Sequence, residues 1–504
     1  MRILSAALVN HDTNFCFYDN GKIKYHKLER TKQEKRYVLY PIQRWKKEVE
    51  NLWNIKIDEI DDIIFQFDPY SMLPNHLKNK ISNSDFLQKL DSDVCVYLGV
   101  KSAWFIGHHY SHAKSTWMLE DKKSDIQIVI DGLGDGRPWT IYKDNRILDF
   151  GDIRKGSIGW GMRDAGKFLG IKAIHQNDIA GKLMGLQSYG NVDYDFLNKL
   201  SIYNMDDINT IFDKSLWKNE SSYIDWIRTI HFKIGNLLVD FFKKYTNKYD
   251  IISYSGGVAQ NVVWNTQLKN NFPNIIIPPH SSDEGISLGA IKVLLDYHGI
   301  TISKINNFPY CQSDIAPPKS PSDKTIDRIV ELLSNNKTVG VYFGNGEIGP
   351  RALGNRSILM NPKIKNGKNK INDIKNREYY RPFGAVILEK YFDKYFNGFA
   401  DEYMLYTSEF KNSSDVYDSI SHIDNTCRLQ ICKDGNMKKI LEKFNEKTDC
   451  PMLLNTSLNL AGKPIAGYPQ DAFSLFQNSN LDCVVIGDKI YESKFWIRRI
   501  QNDK

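Results

Sequence analysis

Between residues 306 and 322 the alternation of apolar strands and amphipathic helices stops, and Pro309, Pro317, Pro318 and Pro321 stand among serines and aspartates. Proline fixes φ and offers no backbone donor, so such a stretch neither continues a helix nor enters the middle of a sheet. The 504 residues are thereby split into two segments, 1–305 and 323–504, with 306–322 as a linker. Each segment is long enough to bury its own core, because domains usually hold ~100–200 residues.

Both segments mix strands with helices, which points to the α/β class. In the front segment, strands are expected over 2–9, 14–18 and 22–28, with Asn20-Gly21 supplying the positive φ of a tight turn. A buried strand at 126–130 runs into Asp131-Gly132. Ile224, Ile227, Ile234, Leu238 and Phe241 recur at helical spacing and predict a helix over 222–246. Beyond it, a strand leads into Ser255-Gly256-Gly257 and a helix start, and 275–277 leads towards Asp283. In the back segment, Ser322 or Asp323 caps a helix reaching Leu333, and a strand occupies 338–343. No internal repeat is read from the sequence.

Composition narrows the function classes. A chain that is 41% hydrophobic and 25% charged is globular. Its net charge of +7 is either Lys-rich usage or a surface for phosphates and nucleic acid; no basic run marks a binding arm. Seven scattered cysteines contain no Cys-x-x-Cys pair, which fits a reducing cytosol. No apolar run approaches the ~18–20 residues a membrane span needs. A cytoplasmic location is expected, in a host cytoplasm if the Lys-, Asn- and Ile-rich usage reflects a viral genome.

Three groups of residues carry chemistry. In Gly107-His108-His109-Tyr110-Ser111-His112-Ala113, three of the eleven histidines fall within five positions. On a helix, His108 and His112 share one face and suit a single metal ion; the alternative is a helix start with incidental histidines. Carboxylates must complete such a site, and Asp131 and Asp283 each follow an apolar strand with a glycine close behind. The second group is glycine-rich. Gly256 and Gly257 before a helix can accept a phosphate, while Lys182 is either a phosphate contact or an exposed helix cation. The third group lies beyond the linker. Arg351 and Arg356 share a glycine-punctuated loop, Lys375, Arg377 and Arg381 follow, and Ser457 and Asn459 come after a late apolar strand. Arginine forks and a lysine suit a triphosphate, and the hydroxyl and amide suit a planar carbamoyl group.

Taken in order, these segments resemble the O-carbamoyltransferase family of nodulation-factor and aminoglycoside-antibiotic synthesis. The resemblance runs from Asn10-His11-Asp12 through the histidine run, Asp131-Gly132, Gly181 to Leu186, Ser255 to Asn261, Glu347 to Ser357, Lys375 to Glu378, His422 to Gln430 and Asn455 to Asn459. It implies a first domain of the actin, sugar-kinase and heat-shock ATPase (ASKHA) fold, like the threonylcarbamoyl-transfer domain. A YrdC-like α/β domain with a Lys-x-Arg and Ser-x-Asn signature follows, matched by Lys375, Arg377, Ser457 and Asn459. It also implies iron(II), or another divalent transition metal, on His108, His112, Asp131 and Asp283. Three places depart from the family pattern and touch pocket shape: Gly384-Ala385 after Arg381-Pro382-Phe383, Leu458, and Asp424-Asn425-Thr426.

The reaction implied is formation of carbamoyl adenylate from carbamoyl phosphate and ATP, with Mg on the nucleotide, and transfer of the carbamoyl group to a hydroxyl. Arg351, Arg356, Lys375 and Arg377 would neutralise phosphates, and Ser457 and Asn459 would orient the carbamoyl end. Lys182, Gly256, Gly257 and Asn261 would hold the adenylate in the first domain. His11 is the candidate general base, oriented by Asp12, or else a turn residue. The acceptor is a small polyol or sugar metabolite, or a hydroxymethyl pyrimidine such as 5-hydroxymethylcytosine in DNA. A homo-oligomer is compatible with the sequence. A kinase or ATPase of the ASKHA type with a regulatory second domain is the competing enzyme, and a nucleotide-binding scaffold without chemistry is the non-catalytic alternative.

Overall fold

The opening apolar run becomes β1 (Arg2–Leu8) and the Asn20-Gly21 turn joins β2 (Asn14–Asp19) to β3 (Lys22–Lys27) in the computed structural model. The structure describes residues 1–81, 85–200, 204–213, 222–302, 305, 307–313, 317–412 and 414–492. The chain divides into two units, Met1–Ser313 and Asp314–Lys504. That division falls inside 306–322, of which residues 306 and 314–316 lie outside the described residues.

The first unit holds two sheets. One runs β3-β2-β1-β4-β6-β5, with β4 at Asp62–Phe67, β5 at Gln88–Lys89 and β6 at Trp104–Phe105. In it β1 is antiparallel to β2 and parallel to β4, β2 is antiparallel to β3, and β4 is parallel to β6. The other sheet is built from β7 (Ile126–Gly134), β8 (Arg137–Lys143), β9 (Arg146–Phe150), β10 (Ile252–Ser255) and β11 (Ile275–Ile276). Its order, β9-β8-β7-β10-β11, and its strand directions reproduce the first five strands of the other sheet. This duplicated module is the ASKHA arrangement. The repeat has no counterpart in the sequence reading, because a backbone ladder needs only strand-forming residues in each place, not matching ones.

The helix expected over 222–246 spans Tyr223–Tyr245 and buries Trp226, Ile227, Ile234, Leu238 and Phe241. The helix Ile286–Tyr297 packs against β1, β2 and the helix His108–Lys114.

The second unit is a mixed sheet in the order β15-β16-β17-β14-β18-β13-β12-β19-β20. Its strands are β12 (Val339–Tyr342), β13 (Arg356–Met360), β14 (Gly384–Leu388), β15 (Phe396–Gly398), β16 (Thr407–Phe410), β17 (Thr426–Cys432), β18 (Met452–Ser457), β19 (Cys483–Ile486) and β20 (Lys489–Glu492). The helices Asp323–Ser334 and Gly435–Thr448 pack on each other and share a core with the sheet. Ser322 caps the first of these, its hydroxyl accepting from Thr325 N–H at 3.3 Å. All seven cysteines are buried and free, and among the described residues no helix is long and apolar enough to cross a membrane.

Candidate functional site

The helix His108–Lys114 starts at the first histidine of the run because Gly107 is its N-cap. Glycine has no side chain to cap with, and Asp135, from the β7–β8 turn, takes that place. Its carboxylate accepts the backbone N–H groups of His108 (2.9 Å) and His109 (2.8 Å). His108 and His112 then lie on one face, with their Nε2 atoms 3.2 Å apart. Asp131 arrives from a register shift in β7 between Ile130 and Gly134, and its Oδ2 is 3.3 Å from His108 Nε2. Asp283 lies just ahead of the helix Ile286–Tyr297, with Oδ1 3.6 Å from His108 Nε2 and 3.4 Å from His112 Nε2.

The four side chains are buried, and one ligand atom from each lies within 4.8 Å of all the others. Two ring nitrogens facing each other, and a buried Asp283 Oδ1 with no hydrogen-bond partner among the described residues, are groups that a shared cation satisfies. Two imidazoles and two carboxylates suit a divalent transition ion such as iron(II). The electrostatics agree. Burial opposes charge on His108, but Asp283 and Asp131 outweigh it and push His108 up to about 9. Burial likewise disfavours charge on both aspartates, yet the imidazoles hold each below its ordinary range. His109 is different: its Nδ1 bonds Thr140 Oγ1 at 2.8 Å, and burial drives it down to about 3, so it is a neutral packing residue.

His11 borders this centre. Its Nδ1 is 2.8 Å from Asp12 Oδ2 and 3.5 Å from Asp283 Oδ2. Burial lowers its basicity, but Asp283 and Asp12 more than restore it, so His11 sits above the usual histidine value. Asp12 is itself gripped by Lys27 (2.8 Å) and Arg36 (2.9 Å). Neither cation was singled out from the sequence, since a lone Lys or Arg far from any motif carries no local signal.

The proposed adenylate residues are placed less uniformly. Gly256 turns at φ 95°, where a Cβ would fall 2.3 Å from Ile130 O. The Gly257 N–H donates to Asp131 Oδ1 at 2.7 Å, and so orients a carboxylate of the candidate metal centre. A 3-10 turn, Gly257–Gln260, comes first, and the α-helix begins only at Val262. Asn261 caps that helix, accepting from Val263 and Trp264 N–H at 3.2 Å each, while its amide meets His231 Nε2 at 3.0 Å. Lys182 lies on the helix Asp178–Leu186 and donates to Lys172 O at 2.5 Å.

In the second unit, Asn376 at φ 44° ends the helix Gly367–Lys375, and the last-turn Lys375 is buried. Its Nζ donates to Ser457 O (2.5 Å), Ser457 Oγ (3.2 Å) and Asn459 O (2.7 Å), and also to Asn459 Oδ1. Lys375, Ser457 and Asn459, far apart in sequence, are thus one cluster. Arg377 lies over Phe383, 5.2 Å from the ring centre. Burial and the positive charges of Arg381, Arg428 and Arg351 hold it well below the ordinary arginine range, Glu378 offsetting part of this. Burial brings Arg428 down to about 10, Cys427 offsetting part of this and Arg381 adding to it. Arginine stays protonated, so these directions report a shortage of negative charge around the group.

Arg356 departs from the expectation. Its side chain is fully buried and stacks 3.5 Å over Tyr342. The guanidinium donates to Phe343 O (2.5 Å), Gly344 O (2.8 Å) and Asn355 O (2.9 Å), so it braces a loop instead of presenting a fork to phosphate.

Two family models match this chain: "Carbamoyltransferase N-terminus" over residues 55–291 and "Carbamoyltransferase C-terminus" over 330–493. The chain belongs to the carbamoyltransferase family. An uncharacterized protein of Methanocaldococcus jannaschii is 28% identical, the match covering 77% of this chain and 83% of that one. The nodulation protein NolNO of Sinorhizobium fredii is 26% identical, over 77% of this chain and 64% of its own length. A 3'-hydroxymethylcephem-O-carbamoyltransferase of Amycolatopsis lactamdurans is 31% identical, over 47% of this chain and 48% of the relative. Among solved structures, the HypF protein of T. kodakarensis is similar at a TM-score of 0.41 and 13% identity, over 60% of this chain and 48% of that chain.

One departure from the family pattern has a local explanation. Asn425 adopts φ 59°, a conformation open to glycine and, among other residues, most readily to asparagine and aspartate. Arg428 lies within the His422 to Gln430 segment, two residues before Gln430 on β17, where nothing local marks it.

Proposed function

We propose that this member of the family is an O-carbamoyltransferase that consumes ATP and carbamoyl phosphate. In the second unit, Arg351, Arg377, Arg381 and Arg428 would receive the phosphates, with Lys375 held against Ser457 and Asn459 beside the carbamoyl end. Water hydrolyses carbamoyl phosphate to carbamate and inorganic phosphate, and a carbamate oxygen then attacks the α-phosphorus of ATP, expelling pyrophosphate and giving carbamoyl adenylate; magnesium accompanies the nucleotide. In the first unit, an acceptor hydroxyl attacks the carbamoyl carbon and AMP leaves. His11, fixed through Nδ1 by Asp12, takes the hydroxyl proton on Nε2. Iron(II) or another divalent ion held by His108, His112, Asp131 and Asp283 would supply Lewis acidity towards a carbamoyl or phosphate oxygen.

The acceptor is a compound bearing a primary hydroxyl. A sugar or polyol metabolite and a hydroxymethyl pyrimidine both meet that chemistry, and the relative named for 3'-hydroxymethylcephem bears on the same group.

The observation that carries this reading is the convergence of two buried histidines and two buried aspartates from three separate segments on one point. The Lys375, Ser457 and Asn459 cluster supports adenylate formation over a kinase reaction. Lys375→Ala is expected to lower carbamoyl-phosphate-dependent pyrophosphate release from ATP at least ~100-fold, the scale at which preorganised charge acts. Unchanged release, or ADP in place of AMP as the nucleotide product, would refute the reading.

A further inference from the structure

The loop that carries Arg351 is held far more firmly than an exposed loop needs. Glu347 is completely buried, and its Oε1 accepts three backbone N–H groups: Leu353 at 2.8 Å, Asn355 at 2.8 Å and Arg356 at 3.0 Å. The Arg356 guanidinium ties the loop's two feet together through Phe343 O, Gly344 O and Asn355 O. From the neighbouring strands, Gln430 donates to Leu353 O at 2.7 Å and Asn455 donates to Ala352 O at 3.3 Å. Gly349 at φ 86° and Gly354 at φ 123° provide the turns that let the chain close around one carboxylate.

This bracing has a physical purpose. Arg381, Arg428 and Arg351 all repel the charge on Arg377, and Glu378, paired with Arg381 at 3.4 Å, offsets part of this. Like charges on a loose loop would separate into solvent, and the conformational cost of bringing them back would fall on the ligand. A loop closed in advance on a buried carboxylate bears that cost during folding.

We propose that Glu347 is a positioning residue of the anion cradle. By binding the Leu353, Asn355 and Arg356 amides it holds the turn that carries Arg351 in one conformation before any phosphate arrives. Arg356 is its structural partner, and Arg351 is the cation of the 345–356 loop whose place for phosphate this bracing sets. This rests on reading the arginine group as phosphate-binding.

The test is calorimetric titration of the full chain with inorganic pyrophosphate, for the wild type, Glu347→Ala, Arg351→Ala and the double variant. Glu347→Ala is expected to weaken pyrophosphate binding by about tenfold, and the double variant to bind no more weakly than Arg351→Ala. That non-additivity separates positioning through Arg351 from a general structural role, which would persist in the Arg351→Ala background. A loss below about threefold, or losses that multiply in the double variant, overturns the inference while leaving the phosphate reading intact. Should Glu347→Ala not fold, Glu347→Asp, which keeps the charge but withdraws it by one methylene, is judged by the same two criteria. A wild type that binds no pyrophosphate removes the phosphate reading and this inference together.

Discussion

Three neighbouring histidines do two different things because their surroundings differ. His108 and His112 face two carboxylates, whereas His109 is turned towards Thr140 and kept neutral. Sequence spacing alone distinguishes the i, i+4 pair from the middle residue; the opposing carboxylates are what make the pair a candidate metal site. His112→Ala is therefore expected to abolish retention of a divalent metal by the purified protein, measured by elemental analysis. His109→Asn should retain the metal and lose only melting temperature, and equal metal loss in both variants would count against the assignment. The same contrast separates the arginines. Arg351 and Arg356 look alike on their glycine-punctuated loop, yet only the burial of Arg356 and the carbonyls its guanidinium meets reveal that it is a brace.

At the scale of elements, the centre depends on how closely two helices approach. Gly289, in the helix Ile286–Tyr297, lies against the helix His108–Lys114: a Cβ there would be 1.7 Å from Ser111 O and 2.9 Å from Ser115 N. Alanine is intrinsically favoured over glycine in a helix by roughly 1 kcal/mol, so Gly289→Ala would stabilise an isolated helix. Here the clash is with backbone, which cannot step aside, and overpacking costs roughly 1–3 kcal/mol or more. The expected outcome is a lower melting temperature together with weaker metal retention, as the segment bearing Asp283 is pushed away from His108 and His112. A variant at least as stable as the wild type would show that the helices can part without cost. Helix and strand positions were largely legible beforehand, because apolar periodicity and turn residues act locally. The role of Gly289 was not, since it depends on a neighbour 178 positions away in sequence.

Over the whole molecule, buried neutral histidines set a lower limit on the pH of stability. Burial drives His26 down to about 4, against a backbone bond to Ser313 that favours charge, and His280 down to about 4, against a similar bond to Ser115. Burial also takes His231 to about 3, with Arg228 adding to it. In the unfolded chain each returns to about 6.5, so between these values the unfolded state binds more protons. Their contribution is complete above pH ~6.5 and is lost as pH falls towards 4, by a few kcal/mol in total after Glu284, pushed up to about 7 mainly by burial, offsets part of it. The melting temperature of the full chain should fall steadily from pH 7 to pH 4.5; a flat or rising profile would contradict the burial of these rings.

What the sequence determined by itself is what local chemistry can encode: the proline-bearing break between two α/β segments, the strands and turns, the histidine pair on one helical face and the ordered motifs that mark the family. What only the tertiary structure decided is which distant groups meet. The duplicated sheet has no sequence repeat because backbone pairing is indifferent to residue identity. Lys27 and Arg36 on Asp12, Asp135 on the histidine helix and Glu347 on its loop all depend on contacts that no periodicity records. A side chain's role is set by its burial and its partners, and both exist only once the chain has folded.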